Sequence, residues 1–192
     1  MIGGVAANGK VSRREAQQVT VKTISIREAT PADVPALARL HVTTFNETHA
    51  PIFRNGPTYE VREYQWRQAF QTTDGNWFCF VIEAPNGDLI GFAKGQPYSH
   101  GDHPDFAGEL NKIYVLREYH RRGLGSRLVG RIARRFLDHG ISSMLLFGDA
   151  RNPSNRFYEA LGAERLFASN GEFHGGYGWR DLRTLATICP TD

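Results

Sequence analysis

The sequence has too few cysteines for a disulfide framework. Cys79 and Cys189 are the 2 in 192 residues, and that scarcity fits a reducing compartment. No stretch approaches the ~20 consecutive apolar residues of a membrane span. Met1–Gln18 also has none of the apolar core of a signal peptide. The expectation is therefore a cytoplasmic protein that does not enter a membrane. No internal repeat divides the chain, and no linker follows residue 22. Residues 1–22, rich in Gly, Ala and polar types without a period, read as a flexible tail. Residues 23–190 read as a single domain, since 41% hydrophobic and 22% charged residues suffice for one full core.

The positive charge that is present is local. The formal net charge is +3, and Arg117, Arg121, Arg122, Arg127, Arg131, Arg134 and Arg135 explain much of it. They belong to a stretch that reads as strand Glu109–Leu116, turn Arg117–Gly125, then a helix. Leu124, Leu128, Ile132 and Phe136 form the apolar stripe of that helix, and Gly140 stands where a left-handed C′ residue would end it. The turn His120-Arg121-Arg122-Gly123-Leu124-Gly125-Ser126 thus lies at the positive end of a helix dipole. Its glycines allow close backbone approach, and several amide N–H groups lack intrahelical partners. This is an anion site, with phosphate as the natural ligand. A basic stripe can also signal nucleic acid, but charge gathered around one small pocket argues against that partner.

The rest of the chain supplies the frame. Ile24–Glu28 reads as a strand. Thr30-Pro31-Ala32-Asp33 opens a helix as cap, first-turn proline and capping-box acid, and the helix runs to about Glu47. After a loop over Thr48–Pro57, a second helix spans about Tyr59–Gln71. Trp77–Glu83 and Leu89–Gln96 are strands joined by the turn Pro85-Asn86-Gly87-Asp88. Ser143–Gly148 is a buried strand, Asn152–Leu161 a short helix, and Glu164–Ala168 with Tyr177–Leu182 a final strand pair. The order β-α-α-β-β-β-α-β-α-β-β predicts an α/β (α+β mixed) fold: a mixed, mostly antiparallel central sheet of about 6–7 strands with helices on both faces.

Among Gly-rich phosphate loops, a Walker loop needs Gly-Lys-Ser/Thr, and Gly125-Ser126-Arg127 does not supply it. A dinucleotide fingerprint needs a third glycine where Leu128 stands. The third candidate is coenzyme A. His120-Arg-Arg-Gly123-Leu-Gly125 resembles the Gln/Arg-x-x-Gly-x-Gly/Ala loop of the GCN5-related N-acetyltransferase (GNAT) superfamily, with His120 in place of the usual Gln or Arg. Asn152-Pro-Ser-Asn155-Arg-Phe157-Tyr158-Glu-Ala-Leu161-Gly162 resembles the family's second motif, in the right order and separation. The likeness covers roughly residues 24–185.

That resemblance implies acetyl transfer from acetyl-CoA to a primary amine of a small molecule, amino acid or peptide, by direct attack in a ternary complex. The alternative is a non-catalytic acyl-CoA sensor or interaction module on the same fold. The resemblance implies that Ile113, Tyr114 and Val115 pair with the pantetheine arm. A backbone N–H of Tyr114 or Val115 would polarise the thioester. His120, Arg121, Arg122, Gly123, Leu124, Gly125 and Ser126 would cradle the pyrophosphate, and Asn152 and Asn155 would reach the pantetheine amides or cap the helix. Tyr158 would be the acid for the leaving thiolate, and Glu109 the candidate base. The acceptor would meet Phe45, Phe53, Arg54, Tyr177 and Trp179, joined by His49, Phe173 and His174. Family members often dimerise through the last strands, so the resemblance allows a homodimer without fixing the oligomeric state. His100, Asp102, His103 and Asp105 read as a solvated loop, and no metal is expected.

Overall fold

Alternation and turn chemistry place most elements where the sequence puts them. The computed structural model describes residues 23–49, 56–72 and 76–190. The tail read over residues 1–22, together with Phe53 and Arg54, lies outside the described residues. Strand β1 is Ser25–Glu28, and α1 is Val34–His49, entered through a single 3₁₀ turn at Pro31–Asp33. The Asp33 carboxylate accepts the Thr30 N–H at 2.7 Å, the reach-back expected of a capping box. Then follow α2 (Tyr59–Gln71), β2 (Phe78–Glu83), β3 (Leu89–Pro97), β4 (Gly108–Val115) and α3 (Leu124–Asp138). The chain continues as β5 (Met144–Phe147), α4 (Asn155–Ala160), β6 (Glu164–Phe167), β7 (Phe173–Trp179) and α5 (Leu182–Ile188).

The strands form one 7-stranded sheet in the order β1-β2-β3-β4-β5-β7-β6. Every neighbouring pair is antiparallel except β4 and β5. Helices α1 and α2 cover one face, where Leu37, Leu40 and Trp66 pack on Val81, Leu89 and Phe92. Helix α3 lies on the other face. Its stripe Leu124, Leu128, Ile132 and Phe136 is buried against Phe78, Ile90, Leu110 and Met144, and α4 and α5 complete that layer through Tyr158, Leu182 and Leu185. The expected sheet, with helices on both faces, is the sheet found.

Beyond shifts of one or two residues, two elements and one added helix differ from the sequence reading. The last strand is Phe173–Trp179 rather than Tyr177–Leu182, because its glycines make room for neighbours instead of a bend. A Cβ on Gly178 would stand 2.5 Å from the Phe106 ring, and one on Gly176 would stand 3.2 Å from the Leu166 Cβ. Leu182 instead belongs to α5, a helix absent from the sequence reading. Asp181 caps it by accepting the Arg183 N–H at 2.9 Å. Finally, α4 begins at Asn155 and not Asn152, since the Asn152 side chain closes a local turn by accepting the Ser154 N–H at 2.9 Å.

Candidate active site

The site begins where β4 and β5 part. Strand β4 pairs with β3 along its whole length, but with β5 only at Gly108↔Met144 and Glu109↔Leu145. From Leu110 onward the β5-facing edge of β4 has no strand partner, so its backbone groups there are open to a ligand. A pocket of about 630 Å³ lies at the far end of β5. Residues 147–151 form one wall, and His49 from α1 and His174 from β7 contribute to the rest. Burial holds the His49 imidazole below the usual range, while the nearby Asp149 charge works in the other direction. The Asp149 carboxyl itself is held low, chiefly by hydrogen bonds from the Arg151 side chain and backbone.

Beyond β4 comes the glycine turn. Gly123 caps α3 at φ 75°, and Arg121 is the non-glycine residue with positive φ among those described, at 61°. The first backbone bond of the helix runs from Arg127 N–H to Gly123 O at 3.1 Å. The N–H groups of Leu124, Gly125 and Ser126 therefore precede the helical ladder and point out of its positive end. Gly125 is needed for packing: an added Cβ would lie 3.1 Å from the Phe157 ring. His120 turns its ring back, with Nε2 2.8 Å from Val115 O. Arg122 donates to Glu118 O at 3.1 Å and lies over the Tyr119 ring. Further along, Arg134 donates to the carbonyls of Ala186 and Cys189, and Arg135 pairs with Glu28. Arg117 is tied to Glu47. Much of the basic stripe thus serves the fold, and Arg121, exposed at the turn, has no ion pair among the described residues.

On α4, the Tyr158 ring is buried against Phe157, Tyr177 and Trp179. No described group hydrogen-bonds its hydroxyl, and burial raises its pKa, so it stays protonated through the neutral range. Asn155 donates to Asp149 O at 3.0 Å and Ala150 O at 3.1 Å, fixing the loop beyond β5. Its Oδ1 is buried without a partner among the described residues.

Glu109 sits at the last β4–β5 pair and faces the α1–α2 side. Its Oε2 accepts Gln96 Nε2 at 2.7 Å, and its Oε1 accepts Asn111 Nδ2 at 3.0 Å. Lys94 donates to Gln96 Oε1 at 3.0 Å, and Lys112 donates to Asn111 Oδ1 at 2.6 Å. The register slips at this point, with Gly95 opposite Leu110 and Lys94 opposite Lys112, so Asn111 is a bulge. Sequence reasoning missed Lys94, Gln96, Asn111 and Lys112. The signal was Asn111-Lys112, two polar residues in succession between Leu110 and Ile113, which breaks strand alternation.

The expected acceptor wall is only partly assembled. Phe45 stacks on His49 with centroids 4.6 Å apart, under Arg62, beside Tyr114. Tyr177 and Trp179 do not join them. Both are core residues, with Tyr177 Oη on Glu159 at 3.0 Å and Trp179 Nε1 on Leu161 O at 2.9 Å. Among the described residues no group of three His, Cys, Asp or Glu side chains is placed to hold a metal. No described helix is long and apolar enough to cross a membrane.

The chain is similar in sequence and fold to known acetyltransferases. An uncharacterized N-acetyltransferase of Bacillus subtilis (strain 168), YuaI, is 33% identical over 175 residues, which is 86% of this chain and 98% of that protein. The crystal structure of PaiA N-acetyltransferase from Thermoplasma acidophilum in complex with coenzyme A superposes with a TM-score of 0.66 at 17% identity, covering 82% of this chain and 98% of that one. A GNAT superfamily phosphinothricin acetyltransferase from Sinorhizobium meliloti, in complex with AcCoA, gives 0.60 at 21% identity over 82% and 86%. The acetyltransferase (GNAT) family model matches residues 39–163. With the divergent β4–β5 pair, the glycine turn at the head of α3 and this match over more than half its length, the chain belongs to the GNAT family of acetyltransferases.

Proposed function

We propose that the protein transfers an acetyl group from acetyl-CoA to a primary amine of a small molecule, amino acid or peptide, by direct attack within a ternary complex. The observation that carries this reading is the open β5-facing edge of β4, which leads from Glu109 to the unpaired amides at the head of α3. One continuous path thus offers strand-like hydrogen bonding for the amides of a pantetheine arm and a positive helix end for its pyrophosphate. The bound coenzyme in the Thermoplasma acidophilum and Sinorhizobium meliloti structures supports the same donor here.

The residues divide the chemistry among themselves. Leu124, Gly125 and Ser126 N–H bind the pyrophosphate, aided by Arg121. Backbone groups of Ile113, Tyr114 and Val115 hold the arm, and a strand N–H polarises the thioester carbonyl where negative charge develops. Asn155 Oδ1, buried and unpartnered, accepts an amide N–H of the arm. Asn152, turned to its own loop, contributes by shaping it. On the other face, Glu109 takes the proton of the incoming ammonium, directly or through water. As the C–S bond breaks, the Tyr158 hydroxyl donates a hydrogen bond to the departing sulfur.

The test is thermal stability with and without acetyl-CoA, followed by release of free thiol across an amine panel. A rise in Tm with acetyl-CoA and thiol release that depends on an amine are expected. Absence of a shift at saturating acetyl-CoA would overturn the donor assignment. Binding without turnover on any amine would leave a sensor module.

A further inference from the structure

Between the sheet and α1–α2, Lys94 and Lys112 share one carboxylate, and Arg62 stands near Lys112. Lys94 and Lys112 are Cα partners across β3 and β4, and Arg62 approaches from α2. Glu109 is the acid whose charge reaches both lysines. Neither lysine has an ion pair among the described residues; each gives one of its three donors to a neutral amide oxygen. Arg62 bonds Gln65 through one terminal nitrogen while its Nε is buried without a partner among the described residues. Like charges opposite each other on a sheet repel, and buried cations lacking a counter-ion are costly. Burial, reinforced by the neighbouring cations, holds the Lys112 amine down to about 8, and burial also holds Lys94 below its usual range. A pocket of about 380 Å³ opens directly onto Lys94 beside Trp77 and Gln96. The Lys94 ammonium lies 5.2 Å from the Trp77 ring centroid.

We infer that Lys94, Lys112 and Arg62 form the recognition site for an anionic group on the acceptor, which is thus an amine bearing a carboxylate or phosphonate. The inference rests on the transfer reaction proposed above. It follows from charge balance: one carboxylate leaves two of these three positive charges uncompensated among the described groups, and a dianion offsets both where a monoanion offsets one. A polyamine brings only more positive charge and is rejected; a neutral amino alcohol or amide leaves the cations unmatched.

The experiment measures initial rates with acetyl-CoA on matched pairs. These are the amino acids against their amides, and aminoalkylphosphonates against the corresponding amino alcohols, with spermidine as the cationic control. At least one anionic member should exceed its neutral partner by about 10- to 100-fold in kcat/KM, the range of a charge-assisted bond. The carboxylate and phosphonate arms then identify the anion. Lys112→Met and Lys94→Met should each erase most of that preference through KM, and Lys112→Arg should restore part of it. Acetyl-CoA affinity by calorimetry should hold throughout. Faster turnover of neutral amines or spermidine, with acetyl-CoA still bound, overturns the anion site and leaves the transferase reading intact. So does a wild-type protein whose acetyl-CoA complex neither acetylates nor is thermally stabilised by any anionic member. Loss of acetyl-CoA binding in the wild type would instead strike the transfer reaction itself.

Discussion

The imidazole of His120 is bonded back to the strand that leads into its own turn, with Nε2 2.8 Å from the carbonyl oxygen of Val115. The residue at the head of the glycine turn is thus a strap, holding the end of β4 to the entrance of α3. His120→Ala should cost about 1 kcal/mol of stability, the worth of one hydrogen bond, and weaken acetyl-CoA by less than tenfold, about 1.4 kcal/mol. Thermal unfolding and calorimetry check both numbers. A hundredfold loss of affinity with unchanged stability would mean that the ring contacts phosphate.

Any side chain at Gly123 should weaken coenzyme binding. Its φ of 75° disfavours any side chain, at about 1–2 kcal/mol. No described atom lies within 4 Å of an added Cβ, so the strain is conformational and not steric. Gly123→Ala should therefore fold and bind acetyl-CoA more weakly. Gly123→Glu should abolish binding by bringing negative charge to the anion cradle. Calorimetric titration of the two variants separates strain from charge, and equal affinities would refute the cradle.

Tyr158→Phe tests the departing thiolate. The hydroxyl has no described partner to lose, so the variant should fold normally and keep acetyl-CoA affinity within about threefold, under 1 kcal/mol. Turnover should fall by roughly 10- to 100-fold, toward the low end of general acid catalysis. Unchanged kcat under chemistry-limited conditions would remove Tyr158 from the reaction.

His41 should make the protein acid-labile. It is 2% exposed among Trp66, Phe92 and Tyr114. Burial, then the charges of Arg62 and Lys112, push its pKa down to about 3. An unfolded histidine titrates near 6.5, so the unfolded state binds the extra proton first. Stability from neutral His41 is complete above about pH 6.5 and drains as pH falls toward 3. His41→Phe should flatten that decline in urea midpoints between pH 6.5 and 4, and an unchanged slope would place the acid sensitivity elsewhere.

What the sequence made legible was whatever depends on local order. The Thr30–Asp33 helix start, the Asn86-Gly87 turn and the glycine turn before α3 all follow from the chemistry of adjacent residues, and all are present. The pairing of β4 with β5 for only two residue pairs was not legible, because divergence depends on the packing of α3 and α4 between remote strands. Tyr177 and Trp179 were misplaced for a related reason. Their aromatic character suits a binding wall and a core equally, and Glu159 and Leu161, 18 residues away in each case, decide between them. The Lys94–Gln96–Glu109–Asn111–Lys112 chain needed the bulge at Asn111, a feature of register rather than composition.

The short β4–β5 ladder makes the sheet resemble a book whose spine is two residue pairs long. With so few backbone bonds across it, the angle between the two leaves is fixed by filling: the Phe136 ring would meet a Cβ on Gly108 at 3.0–3.1 Å on several of its atoms. The gauge of the opening is then set by side-chain volume in the core beneath α3. A change as small as Phe136→Leu can narrow or widen the slot without touching any group that performs the reaction.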